Sequence, residues 1–429
     1  MASSASGSNA AEVSDDAQPV ITLITMDRET SSIVFTRSDD KEARFPLAPS
    51  PFAETSALSR LHHTPSFEHL LATTRAGDDI VFELPKPDSR EQLAGRLVVY
   101  LDQNQWSAVD NARRYPAKVA DEDRNAARQL VEWVQQHKIV LPASSGHYYE
   151  TTKRFDQEKR YGLGLTVLQL SRGWQMRDPV QVRRDELHDE FRRRFAGQPG
   201  SRNAAVFTLM PDVLHGPWRS EGTYTPPADF PPDMAFQLQA LTSATALIDV
   251  MLDAERIEPG PDTGWTLVNQ QFSDWLDGEE DRTPQQKRKS IDALLLSDLQ
   301  TEIAEEAYAA GATLEQFQHW LSDQSMQDLG QLPATGVFRE MLHERHLNKK
   351  TAWKRNDLTD MVYLSCAAGY ADVVVCERHM ANVLTQGLKR LEHPTLVFRR
   401  LRDAVPVISE RLGSSASSPP HPEDTGTND

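Results

Sequence analysis

Between Pro19 and about Lys86 the chain alternates apolar and polar residues in short runs, "VITLITMD", "SSIVFTRS" and "DDIVFELP", with turn-like clusters between them. Period-two alternation bounded by turn residues predicts half-buried strands, hence a small β-rich module over 19–95. An unbroken apolar run then predicts a buried strand at Leu97–Leu101, ending in "DQNQW". Ala127, Leu130, Val131 and Val134 recur at helical spacing behind the acidic start "DED" at 121–123, which predicts a helix. "KIVLPAS" (138–144) reads as a second short strand that Pro142 ends, and "SGHYYETTKRF" has the polar opening of another helix. Strand, helix, strand, helix is the grammar of an α/β layer with a parallel sheet.

From about Tyr161 to Arg345 that grammar gives way to helical patterning, as in "VRRDELHDEFRRRF", "MAFQLQALTSATALIDVMLDAERI" and "RKSIDALLLSDLQTEIAEEAYAAG". Pro-rich joints such as "YTPPADFPPD" separate these segments, and no fixed-period repeat favours a solenoid. The α/β grammar returns in "DLTDMVYLSCAAGYADVVVCERHMANVL", where a helix from about Thr359 feeds a strand at Val373–Cys376. The expected organisation is thus an α/β domain in two parts, 96–160 and 346–412, interrupted by a mostly α-helical insertion, 161–345. Residues 1–18 and 413–429 are small, polar and Ser/Pro-rich, the composition of disordered tails.

Composition sets limits. No segment approaches the roughly 20 apolar residues of a membrane span, so no membrane partner is expected. The N-terminus lacks the basic and apolar regions of a secretory signal. Two cysteines, Cys366 and Cys376, cannot make a disulfide framework, and a reduced, cytoplasmic protein is expected. A net charge of −17 argues against nucleic acid as a partner until it is resolved along the chain. Residues 203–345 hold 24 acids against 8 bases, while the flanks inside the two tails are mildly basic. The acidity belongs to the insertion, for which a lid, a repulsive wall, or a surface for a homodimer or another protein partner are the readings. No P-loop and no G-x-S-x-G elbow is present, and His343 and His346 lack the H-E-x-x-H spacing of a zinc site.

Four acids occupy corresponding places in the α/β grammar. Asp102 follows the first strand, Glu150 lies in the first turns after the second, Asp360 opens a helix capped by Thr359, and Glu377 follows "VVVC". Strand ends and the helix starts that follow them converge at the carboxyl edge of a parallel sheet. Clustered carboxylates repel, and hard Mg²⁺ or Mn²⁺ relieves the repulsion while activating water and neutralising phosphate charge. Each acid also has a local alternative. Asp102 and Asn104 are ordinary turn residues, Glu150 stands beside Lys153 and Arg154 at helical spacing, and Asp360 suits a helix N-terminus, with Asp357 a nearby competitor.

On these residues the chain resembles the PIN-like nucleases. Their strand ending in D-x-N is matched by Asp102 and Asn104 in "YLDQNQW", and their second acid by Glu150 in "LPASSGHYYET". Their Asp at the start of a helix rich in small residues is matched by Asp360 in "DMVYLSCAAGYAD". Where the family has T-D after a strand, this chain has Cys376 and Glu377, and Arg378 takes the T-x-D alternative. The resemblance covers about 97–160 and 346–395. It implies a PIN-like parallel-sheet fold, metal-dependent hydrolysis of phosphodiester bonds, usually in RNA, and Asp102, Glu150, Asp360 and Glu377 as metal ligands. Asn104 would orient Asp102 or the attacking water. A D-x-D phosphatase is excluded because position 104 is Asn.

Basic residues then matter. Between Thr151 and Arg202 there are 12 bases and 7 acids, and Phe155, Tyr161 and Trp174 interleave with them. Lys153, Arg154, Lys159, Arg160 and Arg378 are the expected phosphate contacts, with the aromatics as stacking surfaces; solvated helix faces are the alternative. "NKKTAWKR" (348–355) is a second basic stretch before Asp360. The expectation is a Mg²⁺/Mn²⁺-dependent nuclease, RNA ahead of DNA, with single strands included. Its rival is a catalytically degenerate domain that binds RNA or protein.

Overall fold

The computed structural model describes residues 19–46, 52, 54–86, 93–200, 205–210, 232–252, 264–278, 281–349 and 352–415. The residues expected to form the tail 1–18, most of the tail 413–429 and most of the joint "YTPPADFPPD" lie outside them. The N-terminal module is an antiparallel sheet of six strands in the order β3-β2-β1-β4-β5-β6. Its strands are β1 (Ile21–Asp27), β2 (Ser32–Arg37), β3 (Glu42–Pro46), β4 (Leu58–His63), β5 (His69–Thr74) and β6 (Asp79–Glu83). Alternation marks β1, β2 and β6 in the sequence. It does not mark β3, whose five residues are all exposed and leave no apolar face to read.

A second sheet is parallel and small, in the order β12-β11-β7-β8. Strand β7 (Leu97–Leu101) pairs with β8 (Ile139–Val140) on one side and with β11 (Val373–Val375) on the other, and β11 pairs with β12 (Leu396–Phe398). Successive side chains of a strand point to opposite faces, so this sheet separates two cores. Val99, Leu101, Val373 and Val375 join one core; Val98, Tyr100, Val374 and Cys376 join the other. Apolar residues at every position are what a strand covered on both faces requires.

The crossovers run in opposite senses. From β7 the chain passes through α1 (Gln103–Arg114) and α2 (Asp121–Gln135) to β8, and both helices pack in the first core. From β11 it passes through α14 (Arg378–Arg390) to β12, and α14 packs in the second core. The order of connection therefore reverses between the adjacent strands β7 and β11. Such a switch point opens a crevice at the carboxyl ends of the two strands, where open α/β sheets bind ligands.

The insertion is more interwoven than the sequence pattern suggests. After α3 (Ser145–Thr152), helix α4 (Gln157–Ser171) crosses the expected boundary at 160 and packs on β6 and α1. Ala143 then bridges in parallel to Gln175 in β9 (Gln175–Met176), which pairs with β10 (Phe207–Thr208), so the layer continues past that boundary. Helix α5 (Pro179–Phe191) follows β9, and α6 (Pro232–Leu252) packs on α4. Helices α7 (Trp265–Gly278), α8 (Pro284–Asp298), α9 (Gln300–Ala309), α10 (Leu314–Asp323) and α11 (Ser325–Gln331) supply residues to the second core. Helix α12 (Pro333–Leu347) spans the expected boundary at 345 and packs on α13 (Asp357–Tyr370) and α14. The last helix, α15 (Leu401–Ser415), packs on α2 and extends into the segment expected to be a tail.

Candidate active site

Asp102 ends β7 and is the N-cap of α1. Its Oδ1 accepts the Gln105 backbone N–H at 2.8 Å, so the turn role suggested by its type is real. Its Oδ2 accepts the backbone N–H of Glu377 at 2.7 Å, which ties the end of β7 to the end of β11. Burial pushes the Asp102 carboxyl up to about 6; the charge of Glu377 adds to the rise, and the N–H donors oppose it.

Glu150 is carried by α3, whose start is fixed by a capping box between Ser144 and His147. The His147 Nδ1 accepts the Ser144 N–H at 3.1 Å, and burial pushes this imidazole down to about 3, so it is neutral and structural. Helix α3 abuts α13: a Cβ on Gly146 would meet the Tyr363 ring at 3.1 Å, and Ser145 Oγ and the Tyr363 hydroxyl are 2.6 Å apart. The Glu150 carboxyl is raised by burial and by Glu377, against the pull of Lys153 and Arg154.

Asp360 lies in the first turn of α13. The helix begins three residues before the expected Thr359 cap, with Asn356 at the N-cap making no side-chain hydrogen bond. The competitor Asp357 is buried, paired with the Arg345 guanidinium, and accepts the Lys354 N–H at 2.7 Å. That partnering leaves Asp360 as the site acid. Burial, followed by the charges of Glu150, Glu377, Asp102 and Asp357, pushes its carboxyl up to about 8. Glu377 is the exposed N-cap residue of α14 and makes no side-chain cap; the Asn104 amide donates to its Oε2 at a long 3.4 Å. Asp102, Glu150, Asp360 and Glu377 all line one cavity of about 450 Å³, together with Asn104, Lys354 and Arg355.

The expected phosphate contacts fare differently. Arg160 is buried, with 3% exposure, and donates to the Arg154 carbonyl at 2.8 Å, so it is a packing residue rather than a surface grip. Arg154 donates to Ser107 Oγ at 2.6 Å, Lys159 pairs with Asp156 at 3.4 Å, and Lys153 lies 3.4 Å above the Tyr149 ring. Arg378 is exposed at the first turn of α14. Among the aromatics, Trp174 is core and donates to Glu83, Tyr161 bonds to Asp78, and Phe155 is exposed. Lys354 and Arg355 reach the cavity wall from the "NKKTAWKR" stretch, a position that charge alone could not assign. His343 is buried against Asp292 and Glu340, and His346 against Ser273 and Asn269, so both serve the helical core.

Among the described residues no group of three or more His, Cys, Asp or Glu stands as a ready-made metal site. None of the helices among them is long and apolar enough to cross a membrane. Compared with known proteins, the chain matches no family model, no curated protein and no solved structure.

Proposed function

We propose that the chain is a divalent-cation-dependent nuclease that hydrolyses phosphodiester bonds, RNA ahead of DNA, on a PIN-like parallel-sheet layer. The observation that carries this reading is the convergence of Asp102, Glu150, Asp360 and Glu377, from four separate elements, on one cavity at the switch point. None of the four is in a salt bridge among the described residues, and Asp360 feels the charge of the other three. A buried carboxylate is ordinarily matched by a counter-charge; four in one crevice without a salt bridge repel and suit a hard cation.

The fit to Mg²⁺ or Mn²⁺ is one of donor chemistry: four carboxylates and an amide oxygen are the oxygen donors such ions take. Bound there, the ion would supply an activated water and neutralise charge on the phosphate. The protein's own parts are definable. Two backbone N–H groups, one on each oxygen, fix the Asp102 carboxylate at the cavity wall. Asn104 restrains Glu377, the most exposed of the set. Burial and the neighbouring carboxylates make Asp360 hold its proton more tightly than a free carboxyl does, and an ion bound there would favour its release. Lys354 and Arg355 offer positive charge to a phosphate on the cavity wall.

The test is cleavage of labelled single-stranded RNA with Mn²⁺, wild type against Asp360→Asn. Mn²⁺-dependent cleavage that the substitution removes supports the proposal, and equal cleavage by both proteins sinks it. The lack of a ready-made three-residue metal group favours a second reading, a degenerate domain that binds RNA without cutting it. Calorimetric titration with Mn²⁺ separates the two, because only the nuclease needs saturable binding.

A further inference from the structure

Resting on the nuclease reading, we propose that Arg378, Arg399 and Arg400 form a backbone-binding subsite that receives the nucleic-acid strand beside the scissile phosphate. The parallel register places these residues together. Val375 pairs with Phe398, and the Cys376 N–H donates to the Phe398 carbonyl at 3.0 Å, so Arg399 and Arg400 leave β12 alongside Glu377 and Arg378. The Gln105 amide donates to the Arg399 carbonyl at 3.3 Å, which brings this corner against the first turn of α1, one residue from Asn104. The Arg399 guanidinium donates to Asn382 Oδ1. Asn382 is one turn along α14 from Arg378, on the same helix face.

Charge makes the corner unusual. In a protein of net charge −17, arginines are mostly neutralised: Arg183, Arg184, Arg339, Arg390 and Arg402 each have a carboxylate partner. Arg378, Arg399 and Arg400 are exposed and have no carboxylate partner among the described residues. Glu377 does not cap α14, so the positive end of that helix adds to the field. Three like charges gathered with no salt bridge among the described residues repel one another, and a polyanion relieves that repulsion. A strand held here continues along the carboxyl edge into the cavity, towards Lys354 and Arg355 on its wall.

Fluorescence anisotropy with a short fluorescein-labelled single-stranded RNA in EDTA reads binding without cleavage. Arg399→Ala/Arg400→Ala is expected to weaken binding about tenfold. It should also flatten the dependence of log Kd on log salt by about 1.4, the share of two phosphate contacts on a single strand. Arg378→Ala alone, which removes no hydrogen bond within the described protein, should weaken it in the same direction. Arg37→Ala/Lys41→Ala on the N-terminal sheet is a charge-matched control expected to bind as wild type. Equal effects of the control and the edge variants, unchanged binding by the edge variants, or no binding by wild type overturns the subsite. Equal loss of affinity for polyglutamate also overturns it, since the corner would then be a general anion surface. Edge-dependent binding by a wild-type protein that never cleaves RNA with Mn²⁺ retains the subsite and removes the nuclease reading.

Discussion

The Asp102 carboxylate accepts the Glu377 backbone N–H at 2.7 Å across 275 residues of sequence. The bond exists because β7 and β11 are parallel neighbours whose carboxyl ends stop at the same level. One residue thereby caps a helix, joins two strands and presents an acid to the cavity. Asp102→Asn has one oxygen to offer two N–H donors, so a loss of about 1–3 kcal/mol is expected in urea unfolding. Mn²⁺-dependent cleavage should fall by more than the about 10–100-fold typical of a metal ligand's outer partners.

Asp360 gives the stability a pH dependence with a definite sign. Its carboxyl rises from 3.8 to about 8 on folding, so the folded state holds the proton more tightly than the unfolded state. Without metal, that contribution is fully present below 3.8 and is lost as pH rises towards about 8; Asp102 acts likewise between 3.8 and about 6. The melting temperature of wild type relative to Asp360→Asn in EDTA should therefore fall across that range, while His147 and His346, pushed down to about 3 by burial, act in the opposite sense below 6.5 in both proteins. Asp360→Asn should melt higher than wild type near pH 8 while losing cleavage. A wild-type melting temperature that rises from pH 5 to 8 relative to that of Asp360→Asn would contradict this charge arrangement.

Added Mn²⁺ should reverse the trend. A cation that binds only the folded state stabilises it by about 2.7 kcal/mol at a hundred times its Kd. Because the site must release the Asp360 proton, affinity should strengthen with pH up to about 8. Calorimetry in two buffers of different ionisation enthalpy reads the released proton directly. Glu150→Gln should weaken the metal and, by removing a buried charge that repels Asp360, raise the EDTA melting temperature near pH 8.

Gly146 tests how the two helices set the site. A methyl group there would sit 3.1 Å from the Tyr363 ring, so the ring, or α3 with Glu150, must give by a few tenths of an ångström. Gly146→Ala should change stability by less than about 2 kcal/mol, because the gain in helix propensity, about 1 kcal/mol, offsets the crowding. Its effect on kcat should exceed that of Tyr363→Phe, which removes only the hydroxyl bonded to Ser145. Equal kcat for Gly146→Ala and wild type would show that this contact does not position the acids.

What could be read from the chain was whatever lay in local pattern. The apolar run of β7, the β1, β2 and β6 alternation and the placement of four acids just after strands or within early helical turns all have signals within a few residues. The start of α13 expected after Thr359 falls three residues late, because Asn356 and Thr359 are both favoured N-cap types and no local feature chooses between them. β3 was invisible because it buries nothing.

The sequence by itself determined which residues are acids at strand ends, and the α/β grammar that could bring them together. Only the tertiary structure decided that Asp357 is neutralised by Arg345 while Asp360 is not. It also withdrew Arg160 into the packing and placed Lys354 and Arg355 on the cavity wall. Charge and type are properties of a residue, whereas burial and partnering depend on which distant segments arrive beside it. Here the reversal of connection between β7 and β11 brings those segments to one crevice.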